Sequence, residues 1–221
     1  MNKMIILPAL LSSTLLTSMF FSTAASADDA FSANIGITSN YIWRGITQSD
    51  DNFSVSAGAD YNHESGFYLG TWAATVDFND DTNFEYDFYS GYQTNFANID
   101  WDIGYIYYGY QGEDNLAFSE VYLRASYETL SLAVSTLVDN DTDGEFGDSH
   151  YFEAAYGFSL PYEISLDLHA GYYNLPADAD YNDFNISLSK SGFSLMVSTL
   201  TGNDAFEDTL VSLSYSKSFD L

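Results

Sequence analysis

Carboxylates at alternate positions are the residues of this sequence best placed to do chemistry. Glu85 and Asp87 alternate with Phe84, Tyr86 and Phe88, Asp102 stands between Trp101 and Ile103, and Glu120 precedes Val121. Glu153, Asp167 and His169 repeat the arrangement further on, Arg124 shares it, and Arg44 follows Tyr41-Ile42-Trp43 on the same parity. Gathered on one wall, this set attracts cations and repels anions. A second candidate is Asp139-Asn140-Asp141-Thr142-Asp143-Gly144, which matches the D-x-D-x-D-G opening of a calcium loop. Asp139, Asp141, Asp143 and the following Glu145 are therefore candidate calcium ligands. The twelfth position is His150, where such loops carry a bidentate Glu, so an ordinary solvated loop competes with that reading. Nucleophilic catalysis finds little support: none of His63, His150 and His169 has a serine that spacing would place beside it on the outside, and no Gly-x-Ser-x-Gly or phosphate loop occurs. The expectation is that the protein is not an enzyme and carries no resident cofactor, with calcium or magnesium at most loosely bound by its loops.

The elements that would position these side chains have a period of two, as strands do. In Ser32 to Asp50, Ala33, Ile35, Ile37, Tyr41 and Trp43 alternate with Asn34, Gly36, Thr38 and Asn40. That stretch predicts one amphipathic strand ending in two aromatics and Arg44-Gly45. The design recurs through Phe53–Tyr61, Phe67–Val76, Phe84–Tyr92, Trp101–Tyr108 and Glu120–Tyr127, then from Leu130, Tyr151, Ile164, Phe184, Phe193 and Val211. Twelve strands are predicted. In the third, Tyr68 and Trp72 compete with Phe67 and Leu69, and the two faces are not separable.

Connections alternate too. HESG, NFANI, ET, SLPYE and KSG are short, whereas RGITQSDDN, VDNDTDGEFGDS and NLPADADYND are long and polar. Short turns at one rim and long loops at the other, with an even strand count, is the layout of an outer-membrane barrel. A soluble β-sandwich also alternates, but it needs no aromatics at its strand ends. Here Tyr41, Trp43, Tyr61, Tyr92, Trp101, Tyr107, Tyr127, Phe158, Tyr172 and Tyr215 fall near strand ends on the apolar parity, as in two interfacial girdles. The expected fold is all-β, a transmembrane antiparallel β-barrel with short periplasmic turns and long acidic extracellular loops.

The ends and the composition agree. Lys3, an apolar run from Met4 to Phe21 and the small residues Ala25-Ser26-Ala27 predict a secretory signal peptide over residues 1–27, with the barrel over 28–221. The chain has no cysteine, which excludes disulfides and thiolate metal sites. A net charge of −27 excludes nucleic acid as a partner, and an aromatic content of 18% argues against disorder. More than half of the 32 acidic residues lie in the long loops. Facing lipopolysaccharide phosphates, that rim is expected to bind bridging divalent cations.

The chain also resembles a known family. Ser39-Asn40-Tyr41-Ile42-Trp43-Arg44-Gly45-Ile46-Thr47-Gln48-Ser49-Asp50 is similar to the opening motif of the TorF family of porins. Tyr61-Asn62-His63-Glu64-Ser65-Gly66-Phe67-Tyr68, Glu85-Tyr86-Asp87-Phe88-Tyr89, Glu120-Val121-Tyr122 and the closing Ser216-Lys217-Ser218-Phe219-Asp220-Leu221 extend the resemblance over the mature chain. The resemblance implies an outer-membrane barrel with a pore, and no catalytic residues.

If the apolar faces meet lipid, then Arg44, Glu85, Asp87, Asp102, Glu120, Arg124, Glu153, Asp167 and His169 line the lumen. Twelve strands enclose more than the side-chain-filled interior of about eight and less than the wide channel of about sixteen. The expectation is a narrow, water-filled, cation-preferring channel for small neutral or cationic solutes in a Gram-negative outer membrane, reached through the periplasm. Its partners are then membrane lipid, lipopolysaccharide and the solutes. The alternative is a structural or surface-interaction barrel with a closed lumen and cation-binding acidic loops.

Overall fold

A computed structural model of the chain describes residues 30–112, 115–142, 144–202 and 209–221, with Asp178 described by its backbone alone. The expected signal peptide, Asp143 and the loop acids Glu113, Asp114, Asp204, Glu207 and Asp208 lie outside the described residues. Twelve antiparallel strands close into a barrel: β1 (Ala30–Thr38), β4 (Ser54–Asn62), β5 (Phe67–Thr75), β6 (Phe84–Phe96), β7 (Ile99–Gln111), β8 (Phe118–Tyr127), β9 (Leu130–Asn140), β10 (His150–Leu160), β11 (Ile164–Asn174), β12 (Tyr181–Lys190), β13 (Phe193–Thr201) and β14 (Thr209–Asp220). Each strand pairs with its chain neighbours, and β1 closes the ring by pairing Ser32 with Asp220 through Thr38 with Ser214. Closure leaves no sheet edge, so every strand backbone group has a ladder partner within reach, as a hydrocarbon environment demands.

Alternation decides the faces. On β14 the exposed Val211, Leu213 and Tyr215 point out, while Ser212 and Ser214 are buried inside. On β5 the ambiguity resolves: Phe67 and Leu69 face out, and Tyr68 and Trp72 face in, at 5% and 3% exposure. The short turns are tight. Ala97 and Asn98 both adopt positive φ (56° and 61°), which suits a two-residue hairpin between right-twisted strands. One irregularity interrupts the register: Ser119 pairs with Asp139 but Glu120 with Leu137, so Val138 bulges out of β9 beside Glu120.

The first predicted strand differs from the structure. β1 ends at Thr38, and the chain then turns into the barrel as a small hairpin, β2 (Ile42–Trp43) and β3 (Ile46–Thr47). Tyr41 is 1% exposed, so neither it nor Trp43 belongs to a lipid girdle. Alternation continues past Thr38 only because the hairpin itself has an apolar side, which the lumen buries. Asp139 is a second correction in placement: it lies in β9, paired with Ser119, rather than in a loop. Tyr92, Tyr127, Phe158, Tyr172 and Tyr215 do face outward, each at least a third exposed.

Candidate functional site

The inward hairpin and the wall it meets form the candidate site. Arg44 and Gly45 make its tip, with φ of 47° and 83°. Two consecutive positive-φ residues give the turn that joins antiparallel strands most closely, and glycine at the second position carries no Cβ penalty. A Cβ at Gly45 would also lie 2.8 Å from that of Asp183, so a larger residue cannot dock this way. The hairpin is pinned at its root. Ser39 N–H donates to the Leu213 carbonyl (2.9 Å), Ser212 Oγ donates to the Asn40 carbonyl (2.8 Å), and Gln48 N–H donates to the Tyr41 carbonyl (2.6 Å). On the other side Asp77 N–H donates to the Gln48 carbonyl (2.9 Å).

Apolar burial holds its body. Tyr41 packs edge-on against Trp72 at 5.6 Å, and Trp43 lies 5.9 Å from both Tyr108 and Phe118 and 6.3 Å from Tyr173. Aromatic pairs at these separations and tilts add to the burial of their surfaces. Arg44 is then held by a carboxylate and three aromatic rings. Its Nη1 and Nη2 donate to Oε1 and Oε2 of Glu120 at 2.8 and 2.7 Å. The guanidinium carbon lies 4.4 Å from the Trp43 ring centre, 4.1 Å from that of Tyr151 and 4.9 Å from that of Tyr173. The side chains of Arg44 and Glu120 are only 8% and 2% exposed. A fork-to-fork ion pair inside an aromatic box holds the guanidinium by one edge and by its faces.

Among the remaining sequence candidates, Glu85, Asp87, Asp102, Arg124, Glu153, Asp167 and His169 all lie on the inward parity of their strands, though in separate groups. Arg124 Nη2 donates to Glu153 Oε1 at 2.9 Å. Asp102 accepts from the Tyr68 hydroxyl at 2.7 Å, and Tyr68 and Tyr122 join hydroxyl to hydroxyl beside it. Tyr41 reaches Glu85 Oε1 at 3.4 Å. Asp87 is fully buried, and neither of its carboxylate oxygens has a hydrogen-bond partner among the described residues. A buried carboxylate left in that state is costly unless a cation, water or proton reaches it.

Alternation could also have found Asp183, which precedes Phe184 on β12 but reads in the sequence as part of an acidic loop. It is fully buried, with Oδ1 3.1 Å from His169 Nε2 and Oδ2 accepting from the Tyr151 hydroxyl at 2.9 Å. Between these groups and the hairpin lies a cavity of about 80 Å³, bordered by Arg44, Glu120, Arg124, Glu153, His169 and Asp183. His63 meets Ser65 within its turn, and His150 meets Thr136.

The described residues of the calcium-like segment, which leave out Asp143, make their own hydrogen bonds. Asn140 Oδ1 accepts from Thr142 N–H (3.0 Å) and Gly144 N–H (2.9 Å), Asp141 accepts from Ala117 N–H (3.2 Å), and Glu145 N–H donates to Asp148 (2.8 Å). Among the described residues, no three His, Cys, Asp or Glu side chains gather where a metal ion could sit.

A closed twelve-stranded barrel, apolar outside and rich in carboxylates within, has the fold of the outer-membrane porins. The chain belongs to the family described as "Bacterial protein of unknown function (Gcw_chp)", whose model matches residues 22–215. That description does not carry the TorF name. Comparison with curated proteins gives no match. Among solved structures, a KdgM porin aligns over 85% of this chain and 99% of its own, with a TM-score of 0.59 at 12% identity. The KdgM porin in complex with disordered oligogalacturonate aligns over 87% and 99%, with a TM-score of 0.53 at 9% identity.

Proposed function

We propose that this protein is an outer-membrane channel of a Gram-negative bacterium for small neutral or cationic solutes, and that its lumen prefers cations. On this reading residues 1–27 are the secretory signal that delivers the chain to the periplasm on its way to the outer membrane. The observation that carries the reading is the inward carboxylate excess. Glu120, Glu153 and Asp183 have cationic or histidine partners, whereas Glu85 and Asp87 lie on β6 with no basic residue hydrogen-bonded to them among the described residues. Once water reaches them, unneutralised carboxylates on a lumen wall raise the local cation concentration and exclude anions. The resemblance to the TorF porins supports a pore. KdgM binds a polyanion, oligogalacturonate; an acidic lumen repels such a ligand, so the solutes of this chain differ in charge. Planar-bilayer recording in a salt gradient tests the proposal: the expected reversal potential has the sign of cation preference, and anion preference would overturn it.

A second reading has one observation in its favour. The docked hairpin and its aromatic neighbours fill much of the lumen and leave a cavity of only about 80 Å³ beside Arg44. A barrel held in that state serves as a surface-interaction or structural element. The same recordings separate the two, because a permanently plugged barrel passes no current.

A further inference from the structure

We propose that Glu120, Tyr151 and Tyr173 form a binding site for guanidinium-bearing solutes, which Arg44 occupies as a tethered ligand. The reading deepens the channel assignment by naming a solute class; it rests on that assignment for transport but not for binding. Its basis is where the two halves of the site come from. Glu120 belongs to β8, Tyr151 to β10 and Tyr173 to β11, so the carboxylate and two aromatic faces stand on the closed barrel wall. Arg44 and Trp43 belong instead to a hairpin whose own ladder is two residue pairs, Ile42 with Thr47 and Trp43 with Ile46. Lifting the hairpin leaves the wall half of the site standing.

The geometry of that wall selects a guanidinium over other cations. Both Glu120 oxygens are used at once, at 2.8 and 2.7 Å, which matches the planar fork of a guanidinium and not a point-like ammonium. The ring of Tyr151 lies 4.1 Å from the guanidinium carbon, close enough for cation–π attraction. The roughly 80 Å³ cavity runs alongside Arg44, so an incoming solute has space next to the residue that it must replace. A solute that takes the place of Arg44 frees the hairpin, and binding then widens the lumen for its own passage.

The test uses the full protein folded in detergent micelles, titrated with methylguanidinium chloride, with sodium chloride of equal ionic strength as control. Tryptophan fluorescence, to which Trp43 contributes, and calorimetry report binding, and heat-modifiable gel migration confirms a closed barrel. R44A is expected to bind methylguanidinium saturably and roughly tenfold or more tighter than the wild type, because a tethered competitor acts at millimolar effective concentration or above. R44A/E120Q is expected to lose that binding. R44K carries the same comparison if R44A does not fold, since an ammonium on the hairpin competes less well for the forked carboxylate. Absence of saturable binding in both single variants, or equal binding after E120Q, overturns the site. Conduction without binding contradicts this inference alone; binding without conduction contradicts the channel assignment alone.

Discussion

At the residue scale, Arg44 and Glu120 are a nearly dry ion pair, and such pairs matter most when one partner is removed. Arg44→Ala leaves a buried carboxylate without its cation, which costs on the order of 3–5 kcal/mol in the docking of the hairpin. Faster proteolysis within residues 39–53 of folded protein checks it, and a rate unchanged from wild type counts against it. R44A combined with E120Q should cost less than the two single changes added, because the pair acts as a unit. Gly45→Ala forces a Cβ to within 2.8 Å of Asp183 and keeps a positive φ that alanine disfavours, so about 1–2 kcal/mol of docking is lost. Most inward acids were legible from parity, since they stand between outward apolar neighbours, as Glu85 does between Phe84 and Tyr86 and Asp167 between Leu166 and Leu168. Asp183 escaped because the acidic run before it reads as loop. Tyr41 and Trp43 misled for a physical reason: a lumen-facing hairpin and a lipid girdle both ask for aromatics beside a strand end, and period two does not separate them.

At the element scale, the barrel strands were legible because alternation separates an apolar outer face from a polar inner one. Leu213 is 55% exposed at the middle of β14, where a lipid-facing strand is deepest. Leu213→Arg should destabilise the barrel by about 2–4 kcal/mol in lipid, read from urea unfolding in vesicles. A shift near zero would argue that this face does not meet hydrocarbon. The hairpin was not legible as an element, because its two-residue strands are too short for any periodic signal. The β11–β12 connection shows how an acidic loop is held by its own hydrogen bonds. Asp180 accepts from the Tyr172 hydroxyl and from Leu175 N–H, both at 2.7 Å, and these bonds hold its carboxyl below the usual carboxylate range. The bonds favour the charged form, so their contribution is complete above about pH 4 and fades as pH falls through the lowered value. Acidification should therefore speed amide exchange at Leu175 beyond the intrinsic rate, and Asp180→Asn should remove that pH dependence.

At the scale of the whole molecule, the net charge is −27, and the outer face of the described barrel presents exposed apolar side chains while Glu85, Asp87, Glu120 and Asp183 are buried inside. Closure of twelve strands makes the wall rigid, and the hairpin inside it rests on a few hydrogen bonds, several aromatic contacts and one ion pair. In the proposed channel, the wall sets which ions are welcome and the hairpin sets how wide the path is. Both properties appear in one measurement, single-channel current across a planar bilayer in a potassium chloride gradient, for wild type and R44A side by side. The account predicts a small conductance for wild type, a larger one for R44A, and for both a reversal potential of the sign that marks potassium preferred over chloride. Chloride preference in either protein, or silence in both, would contradict it.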